Sequence, residues 1–146
     1  MISYVLGFAF TKDRSKVVLM QKKRPEAIAG LYTAPGGKIE ENELGISAVV
    51  REFEEETGVI INYWKNEFKI TGPDYTIEVF SAFNDEILNA QSKTDEDVVV
   101  CDVNTVSTMK CTSDTKWIVP LILDPAHMVG SVSVVVNLSL IHFCRL

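Results

Sequence analysis

The sequence predicts an α/β domain, because segments with the apolar pattern of β-strands precede and follow two helical segments. Residues 2–10 and 16–21 are apolar runs separated by a short polar turn, which predicts an antiparallel hairpin. Apolar side chains recur with the period of a helix from residue 43 onwards, and residues 115–123 form a shorter helical segment. A chain of 146 residues is long enough for one core and too short for two ordinary domains, so we expect one domain over residues 1–146.

The composition is that of a folded protein, with 47% hydrophobic and 23% charged residues. The formal net charge of -6 argues against a nucleic-acid polymer or an anionic membrane as the main partner. No apolar stretch reaches the ~20 residues that span a bilayer, and the N-terminus lacks the basic leader of a signal peptide. The three cysteines are odd in number and widely spaced, so we interpret them as free thiols of a cytoplasmic protein.

A run of cations, Lys22, Lys23 and Arg24, directly follows the second predicted strand. Three cations at the end of a strand are typical of a solvated sheet edge, and we give this interpretation equal weight. The functional alternative is that an acidic protein needs local cations to hold an anionic substrate. Lys23 and Arg24 closely precede the acidic helical segment described next, and they are therefore candidate contacts for an anionic substrate.

The helical segment that begins near Glu43 is amphipathic. Four apolar side chains recur at the i, i+3, i+4 and i+7 positions of one helix face, namely Ile46, Val49, Val50 and Phe53. We expect this face to lie in the core. Gly58 follows the last helical position, and it predicts a left-handed residue that ends the helix.

A cluster of acidic residues lies on one flank of the same helix. Glu52, Glu55 and Glu56 stand at i, i+3 and i+4, where like charges cost a helix roughly 0.2 to 0.5 kcal/mol per pair. Glu54 adds a further carboxylate, and Arg51 is the single cation in this run. A run of glutamates alone is usually a solvent-exposed face. Clustered carboxylates also suit hard divalent cations such as Mg²⁺ or Mn²⁺.

The spacing around this cluster favours the metal-binding interpretation. From Gly37 the chain continues with five residues, Glu43, seven residues, Arg51 and Glu52, and the pattern closes with the run from Phe53 to Val59. This stretch resembles the signature of the Nudix hydrolases, GX5EX7REUXEEXGU with U an apolar residue, and every fixed position is filled. The resemblance implies the Nudix fold, an α/β/α sandwich with a central mixed β-sheet.

The resemblance also implies a reaction and a site. Nudix enzymes hydrolyse a nucleoside diphosphate that is linked to another group, with Mg²⁺ as the cofactor and Mn²⁺ as a substitute for it. The resemblance implies that Glu55 and Glu56 are the principal metal ligands and that Glu52 is a ligand or a catalytic base. It also implies that Arg51 and Glu43 orient the helix.

Two further segments supply candidate ligands. Ala34-Pro35-Gly36-Gly37 predicts an extended residue before the proline and then a backbone turn, which brings the Gly36 or Gly37 carbonyl close to a metal. The polar segment 91–97 leads into a predicted strand over residues 98–103. Carboxylates in such a loop usually face solvent, but many Nudix enzymes supply a glutamate from a loop at about this place. Glu96 is the candidate, with Asp95 and Asp97 beside it.

Residues 60–64 and 67–71 predict strand segments, and Gly72-Pro73-Asp74 predicts the turn that joins the second of them to a strand over residues 75–83. The aromatic residues of this region are expected mainly in the core, and they are Trp64, Phe68, Tyr75, Phe80 and Phe83. An aromatic face is also a common means of holding a base, and the sequence leaves open which ring would serve.

The C-terminal region predicts a helix followed by strand. In residues 115–123 one helix side carries Trp117, Ile118, Leu121 and Ile122, and Pro120 predicts a kink or an early end. Residues 131–143 are rich in β-branched side chains and predict one or two strands. The sequence leaves open whether they pair within the sheet or across a homodimer. His127 and His142 are interpreted as structural.

The preferred substrate at this stage is a nucleoside triphosphate, ordinary or oxidised, because the chain is short and has no added recognition domain. ADP-ribose, nucleotide sugars and dinucleoside polyphosphates are alternatives. Family members that prefer ADP-ribose often carry a proline past the signature, and those that cleave dinucleoside polyphosphates carry a tyrosine; Pro73 and Tyr75 provide both. A non-catalytic nucleotide-binding module and a structural protein with a polar glutamate face are the alternatives from other classes.

Overall fold

The computed structural model describes residues 1–126. Within this range the strands are Ile2–Phe10 (β1), Lys16–Gln21 (β2), Tyr32–Thr33 (β3), Gly36–Lys38 (β4), Lys65–Thr71 (β5), Tyr75–Phe83 (β6) and Asp97–Asp102 (β7). The α-helices are Gly45–Thr57 (α1) and Ser113–Leu123 (α2), and short 3₁₀ turns lie at Glu26–Ile28, Asp85–Asn89 and Val103–Thr105. Over the described residues, no helix has the length and apolar character needed to cross a membrane.

The strands form one mixed sheet in the order β3-β2-β1-β6-β5, with β4 paired to β1 and β7 paired to β2. Strands β1 and β6 run parallel along their whole length. The two predicted hairpins, β1 with β2 and β5 with β6, are confirmed as antiparallel pairs. Because β1 lies inside the sheet and is covered on both faces, it is a continuous apolar run.

Side chains of β1 point alternately into two cores, one on each face of the sheet. One core packs β1 against α2 and includes Tyr4, Leu6, Phe8, Phe10, Ile118, Val119 and Ile122. The other packs β1 against α1 and includes Val5, Ala9, Ala48, Val49 and Phe53. The predicted arrangement, a mixed sheet between two helices, is therefore confirmed.

Helix α1 begins two residues later than predicted and ends as predicted at Gly58, whose φ is 78°. The predicted core face is partly wrong. The buried side chains of the helix are Ala48, Val49, Phe53, Glu56 and Thr57, whereas Ile46 is exposed and Val50 is half-buried. The helix is turned about its axis so that Val49 packs closely against β1. A Cβ added to Gly7 of β1 would lie 2.8 Å from Val49 Cγ2.

The strand predicted at residues 60–64 is wrong. This segment has no ladder partner; it packs against α1 by burying Ile61 and Trp64, and the Trp64 indole N–H donates to the Ile61 carbonyl at 2.8 Å. Its apolar alternation therefore reflects packing on a helix and not pairing in a sheet. Strand β5 begins after it, at Lys65.

The other boundaries differ by one or two residues. Strand β7 starts and ends one residue before the predicted strand, and α2 starts two residues earlier than predicted. The early end predicted as one effect of Pro120 is wrong, because α2 continues to Leu123; the alternative, a kink at Pro120, stays a prediction. Four of the five aromatic residues are buried and Phe83 is half-buried, stacked on Phe10 at 5.4 Å.

Cys101 and Cys111 are free thiols, as predicted. The predictions for residues 131–143, His127, His142 and Cys144 lie outside the described residues.

Candidate functional site

A cavity of about 370 Å³ lies where the end of β2, strand β4, the C-terminal half of α1 and the segment before β7 meet. It is lined by Lys22, Arg24, Gly36, Gly37, Lys38, Glu52, Glu55, Glu56, Thr94, Asp95 and Glu96. Most of the predicted site residues are therefore brought together from four separate parts of the chain. A larger open groove of about 680 Å³ runs along the outer side of α1, but of the predicted residues it includes Arg51 and Glu55 alone.

The glycines of β4 make room for the neighbouring structure. The predicted backbone turn is wrong, because Gly36 and Gly37 lie in a short strand that pairs with Val5 and Leu6 of β1. A Cβ on Gly36 would lie 2.1 Å from the Val5 carbonyl oxygen. A Cβ on Gly37 would lie 2.4 Å from the carboxyl carbon of Glu52. Glycine is thus required here for close approach and not for a positive φ.

Arg51 connects α1 to the loop that precedes it. Its guanidinium donates to both carboxylate oxygens of Glu43, at 2.8 and 2.9 Å, and to the Lys38 carbonyl at 3.1 Å. It also donates to Glu52 Oε1 at 2.8 Å. Arg51 also lies 3.5 Å from a carboxylate oxygen of Glu55, one helical turn further on, but Glu55 is 57% exposed. The two-pronged contact with Glu43 therefore fixes the guanidinium that holds Glu52.

Hydrogen bonding to Arg51 lowers the pKa of Glu43, so this carboxylate stays ionised. The Glu43 carboxylate, through its hydrogen bonds, raises the pKa of Arg51. Glu43 also accepts a hydrogen bond from the Glu40 amide at 3.0 Å. These contacts give Glu43 and Arg51 a geometry suited to the predicted orienting role.

Glu52 and Glu56 are neighbouring carboxylates on the inner side of the cavity. Burial, and then the charge of Glu52, raises the pKa of Glu56 to about 9. Burial also raises the pKa of Glu52, against the lowering effect of Arg51. The two groups are near enough to interact directly, so ionisation of one affects the pKa of the other. Added positive charge is what such a pair needs before both carboxylates can ionise.

The donor set of the cavity fits a hard divalent cation. It consists of carboxylate oxygens and of the backbone of Gly36 and Gly37, and Mg²⁺ and Mn²⁺ prefer oxygen ligands. The room that Gly37 leaves for the Glu52 carboxylate supports this fit. In residues 1–126 no three His, Cys, Asp or Glu side chains are already arranged as a set of metal ligands.

Glu96 and Lys22 form a buried ion pair in the cavity. Lys22 Nζ lies 2.8 Å from Glu96 Oε1, and the side chains are 8% and 7% exposed. The Lys23 amide donates to the other oxygen of Glu96 at 2.6 Å. Sequence reasoning placed Glu96 here but missed Lys22. The available signal was a cation at the end of β2 and an acidic segment at the start of its partner strand β7.

The predicted phosphate contacts lie differently. Arg24 lines the cavity and pairs with Asp95 through an exposed ion pair. The Lys23 side chain is exposed and does not line this cavity. Asp97 is the first residue of β7, opposite Gln21, and also lies outside the lining. Lys38, which the sequence did not single out, adds a cation to the rim.

The sheet, its two helices and the acidic cavity define the class: an α/β/α domain whose first helix carries a carboxylate site. A family model for the NUDIX domain matches residues 3–119 of the chain. The chain therefore belongs to the NUDIX domain family.

Individual relatives are more distant. An uncharacterised Nudix hydrolase of Bacillus subtilis, YvcI, is 48% identical over 46 residues, which are 32% of this chain and 27% of that protein. The MutT protein of Bacillus halodurans has a similar structure, with a TM-score of 0.75 at 20% identity, covering 96% of this chain and 93% of that one. The NUDIX domain of Shewanella oneidensis NrtR, solved with ADP ribose, gives 0.72 at 21% identity, covering 82% and 84%. At these identities the two structures show a shared fold.

Proposed function

We propose that the chain is a Mg²⁺-dependent pyrophosphohydrolase that cleaves a nucleoside diphosphate linked to another moiety. The observation that supports this most is the convergence of Glu52, Glu55 and Glu56 with Glu96 in one cavity, next to a glycine strand that leaves them room. Membership of the NUDIX domain family supports the same reaction class. The preferred substrate is a nucleoside triphosphate, which water converts to a nucleoside monophosphate and pyrophosphate.

The roles follow from position. Glu52, Glu55, Glu56 and Glu96, with the carbonyl of Gly36 or Gly37, are the groups that would hold the metal. A bound divalent cation neutralises phosphate oxygens and lowers the pKa of a coordinated water towards neutrality. Arg51, fixed by Glu43, aims the Glu52 carboxylate into the cavity, where it serves as a ligand or as the base that orients water. Cations at the rim, Arg24 and Lys38, face the space that a phosphate chain would enter.

The substrate alternatives remain ADP-ribose, nucleotide sugars and dinucleoside polyphosphates. Pro73 lies in the turn between β5 and β6, and Tyr75 is a buried member of the core under α2. Neither lines the acidic cavity, so their positions do not separate the alternatives. The homodimer and the cytoplasmic location remain predictions.

The test is a panel of ordinary and oxidised nucleoside triphosphates, ADP-ribose, a nucleotide sugar and a dinucleoside polyphosphate, each with and without Mg²⁺. We expect pyrophosphate release from a triphosphate in the presence of Mg²⁺. Faster cleavage of another substrate would correct the substrate and keep the reaction class. Thermal stabilisation by Mg²⁺ and nucleotide without turnover would identify a non-catalytic binding module. The absence of both stabilisation and turnover would support the structural alternative, in which the glutamates form only a polar face.

A further inference from the structure

Lys22 is a buried cation inside an acidic cavity. Among residues 1–126 it is the one lysine or arginine that is buried, with 7% relative exposure. Lysines are almost never fully buried unless they are paired. Its partner Glu96 is equally buried, at 6%, and joins it across 74 positions of sequence. Such a pair is expensive to desolvate, so its position at a candidate metal site calls for a reason beyond packing.

The charges around the cavity are unevenly matched. Arg51 forms ion pairs with Glu43 and Glu52. Glu56 and Glu96 are both buried, and Lys22 is a cation close enough to act on both. It forms the ion pair with Glu96, and its positive charge lowers the pKa of Glu56 against the effects of burial and of Glu52.

We propose that Lys22 is a positioning residue that holds Glu96 in the cavity and supplies positive charge there before a divalent cation binds. This inference rests on the proposed function, because it treats Glu56 and Glu96 as groups that would hold the metal. The Lys23 amide holds the second oxygen of Glu96, so the carboxylate is fixed from two sides by adjacent residues of the chain. Lys22 and a divalent cation then favour the same carboxylates, and the lysine opposes metal binding electrostatically.

Two simpler roles make different predictions. If the lysine only contacts substrate phosphate, its replacement would change KM. The Tm of the metal-free protein and its affinity for the metal would stay unchanged. A lysine that is only part of the folded framework would change stability and leave metal affinity unchanged. A positioning residue that shares its carboxylates with the metal changes both properties.

The first experiment is a double-mutant cycle in the metal-free full chain, kept in EDTA, with Lys22→Met, Glu96→Gln and the double variant. Each single change leaves a buried charge unpaired, so we expect each to lower Tm by about 5 °C or more. The double variant removes both charges, so the Tm that it loses should be much smaller than the sum of the losses of the two single variants. Lys69→Met removes one charge at an exposed position of β5 outside the cavity and controls for net charge. Additive losses in the cycle would overturn the proposed coupling.

The second experiment measures Mn²⁺ binding by titration calorimetry and by electron paramagnetic resonance. In Lys22→Met the Lys23 amide still holds Glu96, so the loss of positive charge should dominate and tighten Mn²⁺ binding roughly tenfold. Lys69→Met should bind as the wild type does. Lys22→Arg keeps the charge and should restore wild-type affinity. Unchanged or weaker binding by Lys22→Met would overturn the inference. If Lys22→Met does not fold, the folded Glu96→Gln and double variants carry the test, and equal Mn²⁺ affinity in both would overturn it.

The two experiments also separate this inference from the proposed function. Absence of Mn²⁺ binding by the wild type would contradict the proposed metal site, and the metal-free cycle would still report whether Lys22 and Glu96 are coupled. Normal Mn²⁺ binding with an additive cycle would leave the proposed function in place and remove the role given to Lys22.

Discussion

The two helices that cover the sheet each carry a buried acid, and the surroundings of those acids differ. Glu56 of α1 lies in a cavity beside Glu52 and Lys22, whereas Asp114 of α2 is buried at the first turn of its helix, outside that cavity. Burial raises the pKa of both groups. A perturbed acid is therefore not by itself a sign of function. What separates Glu56 is a cavity in which several charged groups from different elements meet.

Removal of the carboxylates of α1 should have the largest effect on activity. Glu55→Gln with Glu56→Gln is nearly isosteric, and it should lower Mg²⁺-dependent turnover by roughly a thousandfold or more, because the proposed metal loses two ligands. The measurement is pyrophosphate release from the best substrate of the panel. Glu54→Gln, on the same helix but outside the cavity lining, is the control and should keep most activity. Wild-type turnover in the double variant would make the metal assignment wrong.

A second prediction separates the two glycines of β4. Gly37→Ala would place a methyl group against the end of the Glu52 side chain, which can move. We expect a small change in Tm and a fall in turnover of roughly ten- to a hundredfold, because a misplaced ligand costs activity more than stability.

Gly36→Ala is the matched comparison, because its methyl group would meet the Val5 carbonyl in the backbone of β1. Backbone of a central strand cannot move cheaply, so this variant should lose several degrees of Tm. Equal effects of the two alanines on turnover and on Tm would contradict the separate roles assigned to Gly36 and Gly37.

The signature motif and the local hydrophobic patterns predicted different parts of the fold and of the site. The spacing from Gly37 to Val59 located α1, its carboxylates and Arg51, because each fixed position of the signature constrains one element. Local patterns also located both hairpins. They failed at residues 60–64, where alternation arises from packing Ile61 and Trp64 on α1. They also missed Lys22, whose burial depends on a partner 74 positions away that β7 brings beside β2. Contacts between distant segments leave little trace in local sequence.

A third prediction concerns Asp114. Within the described residues, neither carboxylate oxygen of Asp114 accepts a hydrogen bond of ordinary geometry. Burial raises its pKa, and nearby Thr112 partly opposes this effect. The folded pKa lies above the unfolded one. Between the two, the native state holds a proton that the unfolded state has lost, so the free energy of unfolding falls as pH rises.

Asp114→Asn removes this titration. At neutral pH we expect it to be more stable than the wild type by about 1 kcal/mol, a net of the buried-charge cost and the lost helix-dipole interaction. Below the unfolded pKa the advantage should disappear. Chemical unfolding between acidic and neutral pH measures the difference, and turnover should be unchanged. If the variant is less stable than the wild type at neutral pH, the charge of Asp114 stabilises the fold and the prediction is wrong.

The smallest expected effect is at Arg24, which lies in the same cavity as Lys22 but pairs with Asp95 through an exposed contact. Exposed ion pairs contribute little to stability because solvent screens them, so Arg24→Gln should leave Tm nearly unchanged. If Arg24 contacts substrate phosphate, the variant should raise KM roughly three- to tenfold with little change in kcat. Steady-state kinetics at fixed Mg²⁺ measures the split. An unchanged KM would favour the other interpretation of Arg24, a cation at a solvated sheet edge. The buried Lys22 would then be the cation of this strand end that belongs to the site.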